Sequence, residues 1–249
     1  MKANKINAIR KGFNAVAGIM ALVVAGVSVR TAVAEDRPLT VVELYTSQGC
    51  SSCPPADAMI GELAKRDDIM PLSLHVDYWN YLGWADKFAR PEHTRRQYQY
   101  KMQFDSRYVY TPQVVIHGAF VPKELSNDSV ATALQRAAKL PRHAVKLTRT
   151  PTGVELSLPA AEVSGDIEIL SVFYDRRHDT KIKRGENGGR TLAYFNVVRE
   201  LKRIGVWHGE EKRLSITMVE TGGDVCAVIL QNVKDRRIVG AARIALDGS

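Results

Sequence analysis

The chain has 249 residues, 45% hydrophobic and 25% charged, with a formal net charge of +8 at pH 7. That length suits one large domain or two small ones, either able to bury a core. Residues 1–34 carry five of the 35 basic residues and no acid; without them the net charge falls to +3, and no block of like charge asks for nucleic acid or an anionic membrane.

The N-terminus speaks to compartment. Lys2, Lys5, Arg10 and Lys11 precede an apolar run, "AVAGIMALVVAGVSV" at 15–29, and "AVA" at 32–34 supplies a small-x-small cleavage pattern before Glu35. This is the layout of a secretory signal peptide. The run is shorter than the ~20 residues a membrane-spanning helix needs, so cleavage is expected, with no stable membrane insertion afterwards. The expected location is periplasmic or secreted, an oxidising compartment for Cys50, Cys53 and Cys226. Cys226, inside the apolar "VCAVILQ", reads as a buried small hydrophobe.

In chain order, "LTVVELYTS" (39–47) is a buried strand. Ala56, Met59, Ile60, Leu63 and Ala64 then recur at steps of three and four, one apolar face of a helix. "MPLSLHVDY" (70–78) is a second strand, parallel to the first across a right-handed βαβ unit. Residues 78–110 hold ten of the eighteen aromatic residues and read as a mostly helical insertion, with a helix from Pro91 to about Phe104. Core packing is the expected use of those rings; a peptide-binding groove is the alternative. "TPQVVIHG" (111–118) is a third strand, and "AFVPKEL" a short edge strand because of Pro122. A helix follows from "SNDSV", carries Val130, Ala133, Leu134 and Ala137 on one face, and ends at Pro141.

After Pro141 the texture changes to short strands split by charged or Gly-containing turns, with "YFNVVRELKRIGVW" (194–207) ambiguous between helix and strand. The expected organisation is a signal peptide (1–34), an α/β domain (35–141, insertion about 78–110) and a β-rich, sandwich-like domain (142–249).

The chemistry gathers at "YTSQGCSSCPPAD" (45–57), where Cys50 and Cys53 stand two residues apart at a strand-to-helix junction. Orphan N–H groups and the helix dipole favour an anion at such a junction, and thiolate is the reactive form of cysteine. Cys50 is therefore expected to attack a partner disulfide from the helix end, and Cys53, about one turn inside and more shielded, to resolve the mixed disulfide. Pro54 and Pro55 suit a first helical turn.

Strand, paired cysteines, helix, strand, then "TP" before the next strand resembles the thioredoxin fold. That resemblance implies a cis peptide at Pro112 opposite the dithiol, with Thr111 presenting backbone groups to a bound partner chain. "VVELYTSQGCSSCPPAD", "LHVDYWNYLGWADKFA", "YTPQV" and "RGENGGRTLAYFNVV" resemble the DUF1223 family of exported bacterial proteins with a thioredoxin-like domain, a likeness that covers most of the chain after residue 34. The family implies no particular substrate. The chain departs from thioredoxin in having Ser51–Ser52 between its cysteines, and Leu44 where thioredoxins bury an acid. The nearest acid, Glu43, becomes the candidate proton relay if the strand carries a bulge.

The expected function is thiol–disulfide exchange on exported protein thiols or disulfides, served by a further redox partner and by no cofactor. Two alternatives use the same residues. A Cu(I) chaperone would ligate metal with Cys50, Cys53 and a histidine, His75 or His117. A non-catalytic binding module would use the β-rich segment and "GENGG" (185–189), read otherwise as a tight turn.

Overall fold

A computed structural model describes residues 38–217 and 222–246. The expected signal segment lies outside them. The first strand, β1 (Thr40–Thr46), alternates its side chains between two faces, both buried. Val42 and Leu44 enter one apolar cluster and Val41 and Tyr45 another. A strand covered on both sides reads as a near-continuous apolar run, as this one does.

The first cluster is closed by α1 (Pro54–Leu63) and α3 (Asn127–Ala138). Pro54 and Pro55 occupy the first positions of α1, where a missing N–H costs no helical bond. Ala56, Ile60 and Leu63 supply its buried face; burying Ile60 alone contributes about 2 kcal/mol. Ser126 caps α3 by accepting the Ser129 N–H. The opposite face carries α2 (Pro91–Gln103), through Tyr100.

β2 (Ile69–His75) pairs parallel to β1, and β3 (Gln113–Ile116) pairs antiparallel on its other side. The edge strand expected after β3 amounts to a single bridge between Ile116 and Phe120. The remaining strands are β4 (Lys146–Thr150), β5 (Gly153–Leu158), β6 (Ile167–Lys181), β7 (Thr191–Trp207), β8 (Lys212–Thr217), β9 (Val225–Asn232) and β10 (Ile238–Ala245). The ambiguous 194–207 stretch is thus a strand, held by antiparallel pairing with β6.

The sandwich-like second domain expected after Pro141 needs correction. Only β4, β5 and β8 form a separate sheet; β6, β7, β9 and β10 extend the first one, giving the seven-stranded mixed order β10-β9-β6-β7-β2-β1-β3. The join is β7 against β2, through the parallel pair Ser73–Val197. Ser73 Oγ donates to the Phe195 carbonyl at 2.8 Å, and Asn196 Nδ2 to the Pro71 carbonyl at 2.8 Å. Asn196 itself sits at φ +47°, a left-handed conformation that Asn tolerates better than most residues. A two-sheet layer does exist: Leu147, Val154 and Leu156 of the small sheet pack with Ile169, Phe173 and Val228 of the large one. The fold is α/β, and the described residues cluster as one unit. Among the described residues, no helix is long and apolar enough to cross a membrane.

Candidate functional site

The dithiol lies in the turn between β1 and α1. Cys50 and Cys53 are joined as a disulfide with Cα atoms 5.4 Å apart. The helix begins at Pro54, so Cys53 rather than Cys50 stands at the N-cap, and Cys50 sits in the turn before it. Both are shielded, at 1% and 0% exposure, so Cys53 is not the distinctly covered partner that was expected. Ser51 and Ser52 are exposed, and Ser52 Oγ lies 3.4 Å from Cys50 Sγ.

Beneath this turn is a buried polar cluster. Asp57, one helical turn after Cys53, accepts a hydrogen bond from Thr46 Oγ1 at 2.8 Å. Burial pushes its carboxyl up to about 7, against a partial opposing pull from His75 and Thr46. His75 faces the same side from β2, and its Nδ1 lies 2.6 Å from Asp86 Oδ2. The Gln48 N–H also donates to that oxygen, at 2.8 Å. Burial raises the Asp86 carboxyl, but the His75 charge and these hydrogen bonds outweigh it and hold the group below its usual range. Tyr194 stacks edge-on against His75 with ring centroids 5.0 Å apart. The Tyr194 hydroxyl, His75 Nε2 and Gln48 Nε2 are buried without a hydrogen-bond partner. A buried polar cluster of this kind, next to the start of α1, is suited to holding and exchanging a proton.

Beside the turn stands Trp79. A Cβ on Gly49 would sit 3.3 Å from Trp79 Cβ, and Trp79 Nε1 donates to Thr111 Oγ1 at 2.8 Å. Trp79 therefore links the dithiol turn to Thr111. The Thr111–Pro112 peptide bond is cis. Gln97 fixes this approach by donating to the Tyr110 carbonyl at 2.8 Å and to Gln113 Oε1 at 2.9 Å. Of the aromatic insertion, Phe88 and Tyr100 are core residues, whereas Tyr81, Tyr98, Tyr108 and Tyr110 are exposed.

Two expected site residues lie elsewhere. Glu43 points to the α2 face, away from α1, because neighbouring side chains of a strand alternate. There Arg96 grips it with two hydrogen bonds, joined by Tyr45 and Tyr100. Burial raises its carboxyl, yet the Arg96 charge and these donors overcome that and keep it lowered. A carboxylate so held is a structural anion and not a proton relay; Asp57 is the buried acid on the dithiol side. His117 pairs with Val41, its N–H donating to the Val41 carbonyl at 2.7 Å. Val41 and Thr46 are separated by roughly 16 Å along β1, so His117 is at the far end of the strand from Cys50. Of the two candidate histidine ligands, His117 is therefore remote from Cys50 and Cys53, whereas His75 stands at the dithiol end of the sheet with its Nδ1 engaged by Asp86. Among the described residues, no group of three or more His, Cys, Asp or Glu side chains is placed to hold a metal ion. Cys226 is free and buried in β9, and burial pushes its thiol up to about 12.

The "GENGG" turn holds residues that sequence reasoning missed. Asn187 Nδ2 donates to the carbonyls of Gln48 and Cys50, and Glu186 accepts the Ser51 N–H. Nothing local signals this, since all three contacts span more than 130 residues.

A family model described as "Protein of unknown function (DUF1223)" matches residues 41–231. A crystal structure of a protein from Agrobacterium tumefaciens is 30% identical over 87% of this chain and 98% of its own, with a TM-score of 0.71. HBP35 of Porphyromonas gingivalis, 12% identical, covers 87% of this chain and 77% of its own at a TM-score of 0.56, a likeness of fold alone. No curated protein matches the chain.

Proposed function

The chain belongs to the DUF1223 family, and from that premise we propose that it is an exported thiol–disulfide oxidoreductase built on a thioredoxin-like domain. The observation that carries this reading is the Cys50–Cys53 disulfide at the start of α1, with the buried acid Asp57 one turn below it. The parallel β1–β2 pair, antiparallel β3 and the placement of Thr111–Pro112 beside Trp79 support the thioredoxin-like description. The basic, apolar and "AVA" segments of residues 1–34 support export.

In the reducing direction the Cys50 thiolate attacks one sulfur of a substrate disulfide. The substrate S–S bond breaks, the leaving thiolate takes a proton, and Cys50 is left in a mixed disulfide. Cys53 passes its proton to the Asp57 carboxylate and attacks Cys50 Sγ. The second substrate sulfur departs as thiolate and is protonated from Asp57. Two electrons have moved from the dithiol to the substrate, and Cys50–Cys53 is oxidised. Run in reverse, the same steps oxidise a substrate dithiol. The partners are exported proteins bearing thiols or disulfides, together with a second dithiol protein that resets the pair.

The test is the pH dependence of Cys50 alkylation in reduced wild-type and Cys53→Ser proteins, with trapping of mixed disulfides by the latter. A midpoint well below the ordinary ~8.5 and a trapped exported protein are expected. An ordinary midpoint with nothing trapped overturns the reading.

A further inference from the structure

The loop joining β6 to β7, residues 182–190, is tied to the dithiol turn by side chains that address only its main chain. Asn187, 1% exposed, donates from Nδ2 to the Gln48 carbonyl at 3.0 Å and to the Cys50 carbonyl at 2.9 Å. Glu186 Oε2 accepts the Ser51 N–H at 3.1 Å. A Cβ on Gly185, at φ +76°, would lie 3.3 Å from Trp84 Cβ, and Trp84 Nε1 donates to Gln48 Oε1 at 2.8 Å. The loop is braced within itself. Gly189 N–H reaches the Ile182 carbonyl at 2.8 Å, and Arg190 Nη1 reaches Asn187 Oδ1 at 2.8 Å.

A structured loop bound to the turn on three main-chain groups has a consequence for access. Exchange requires an incoming sulfur to meet Cys50 Sγ, yet Cys50 is 1% exposed. Something must yield first. The contacts of residues 186 and 187 reach the turn through side chains alone, so they can part while both sheets and α1 stay intact.

We propose that the 182–190 loop is a cap that gates the Cys50–Cys53 disulfide, with Asn187 and Glu186 as its latch. The proposal rests on the reading of this dithiol as the working site. It assigns "GENGG" a role beyond that of a tight turn.

The experiment follows reduction of the oxidised protein by a neutral phosphine, tris(hydroxypropyl)phosphine, at fixed pH. Phosphorus attacks one sulfur, the S–S bond breaks, and water releases the phosphine oxide and two thiols. Asn187→Ala forfeits both hydrogen bonds to the turn, and the Arg190 brace with them, and is expected to speed reduction by about tenfold or more; Glu186→Ala forfeits one, for roughly three- to fivefold. Glu186→Gln keeps an oxygen that accepts the Ser51 N–H, so it is expected to match wild type. Rates within twofold of wild type for both alanine variants, or Glu186→Gln as fast as Glu186→Ala, overturn the latch. Should circular dichroism show Asn187→Ala unfolded, the exposed Glu186 pair decides alone. Faster reduction without any mixed disulfide trapped by Cys53→Ser keeps the cap and rejects exchange; trapping with unchanged rates does the opposite.

Discussion

Glu43 and Arg96 meet in a two-pronged ion pair, Nε to Oε2 at 2.7 Å and Nη2 to Oε1 at 2.9 Å, across 53 residues of chain. Tyr100 and Gln231 complete the network, so it fastens β1 and α2 to β9. A buried pair of this kind is costly to break from one side, because the surviving charge is left unpaired. Arg96→Met is expected to cost about 3–5 kcal/mol. The double variant Glu43→Leu with Arg96→Met should cost less than the sum of the singles. Urea unfolding of the four proteins measures this; additive losses would contradict it.

Gly118 lies at φ +65°, and a Cβ there would come 2.1 Å from the Arg236 carbonyl oxygen. That oxygen belongs to backbone in the β9–β10 turn, which cannot swing aside as a side chain does. Gly118→Ala is expected to destabilise by at least about 2 kcal/mol, from strain and from displacement of the turn. Gly83, also at positive φ but with open space where a Cβ would stand, serves as the control and should lose only about 1 kcal/mol. Equal losses at the two sites would refute the clash.

The Tyr194 hydroxyl is buried with no hydrogen-bond partner, while its ring packs against His75 and Phe88. An unpaired buried hydroxyl carries a desolvation penalty that Phe does not. Tyr194→Phe should therefore be neutral or stabilising by about 1 kcal/mol in urea unfolding. A clear loss would mean that the hydroxyl has a bonded role in solution.

What could be read beforehand follows from where the information sits. The apolar positions Ala56, Ile60 and Leu63 define α1, and they form its buried face. The alternation that makes β1 a strand also contained the answer for Glu43, since it sets Glu43 on the face opposite Val42 and Leu44. Knowing that α1 covers Val42, and α2 covers Val41, required the packed layers. In β7, Phe195, Val198 and Leu201 recur at three-residue steps that suit a helix as well as a strand; pairing with β6 decides. Asn187 had no pattern at all, because its partners are carbonyls whose positions depend on the β2–β7 junction.

The acid limb of the stability curve should expose Asp57. Burial lowers His93 to about 4 and His117 to about 3, with Arg142 adding to the latter. An unfolded chain takes up both protons near pH ~6.5. The stabilisation from these neutral histidines is therefore full above that pH and is lost as pH falls toward their folded values. Asp57 acts in the opposite sense. Its carboxyl is raised to about 7 by burial, so the folded chain holds a proton that the unfolded chain releases near pH ~3.9. Between pH of about 5 and 6, His93 and His117 favour the unfolded chain by two protons and Asp57 the folded chain by one, and His143, also lowered by burial, adds to the histidine side. Stability should fall by at least about 1.4 kcal/mol per pH unit on acidification across that window. Asp57→Asn keeps an oxygen for Thr46 but removes the opposing proton. It should steepen the slope by about 1.4 kcal/mol per pH unit. It should also stabilise the protein by a few kcal/mol near pH ~8, where the wild-type carboxylate is charged and buried. Urea unfolding at several pH values reads both effects together. An Asp57→Asn slope equal to wild type would show that the carboxyl titrates as an ordinary acid, and would remove it as the proton acceptor for Cys53.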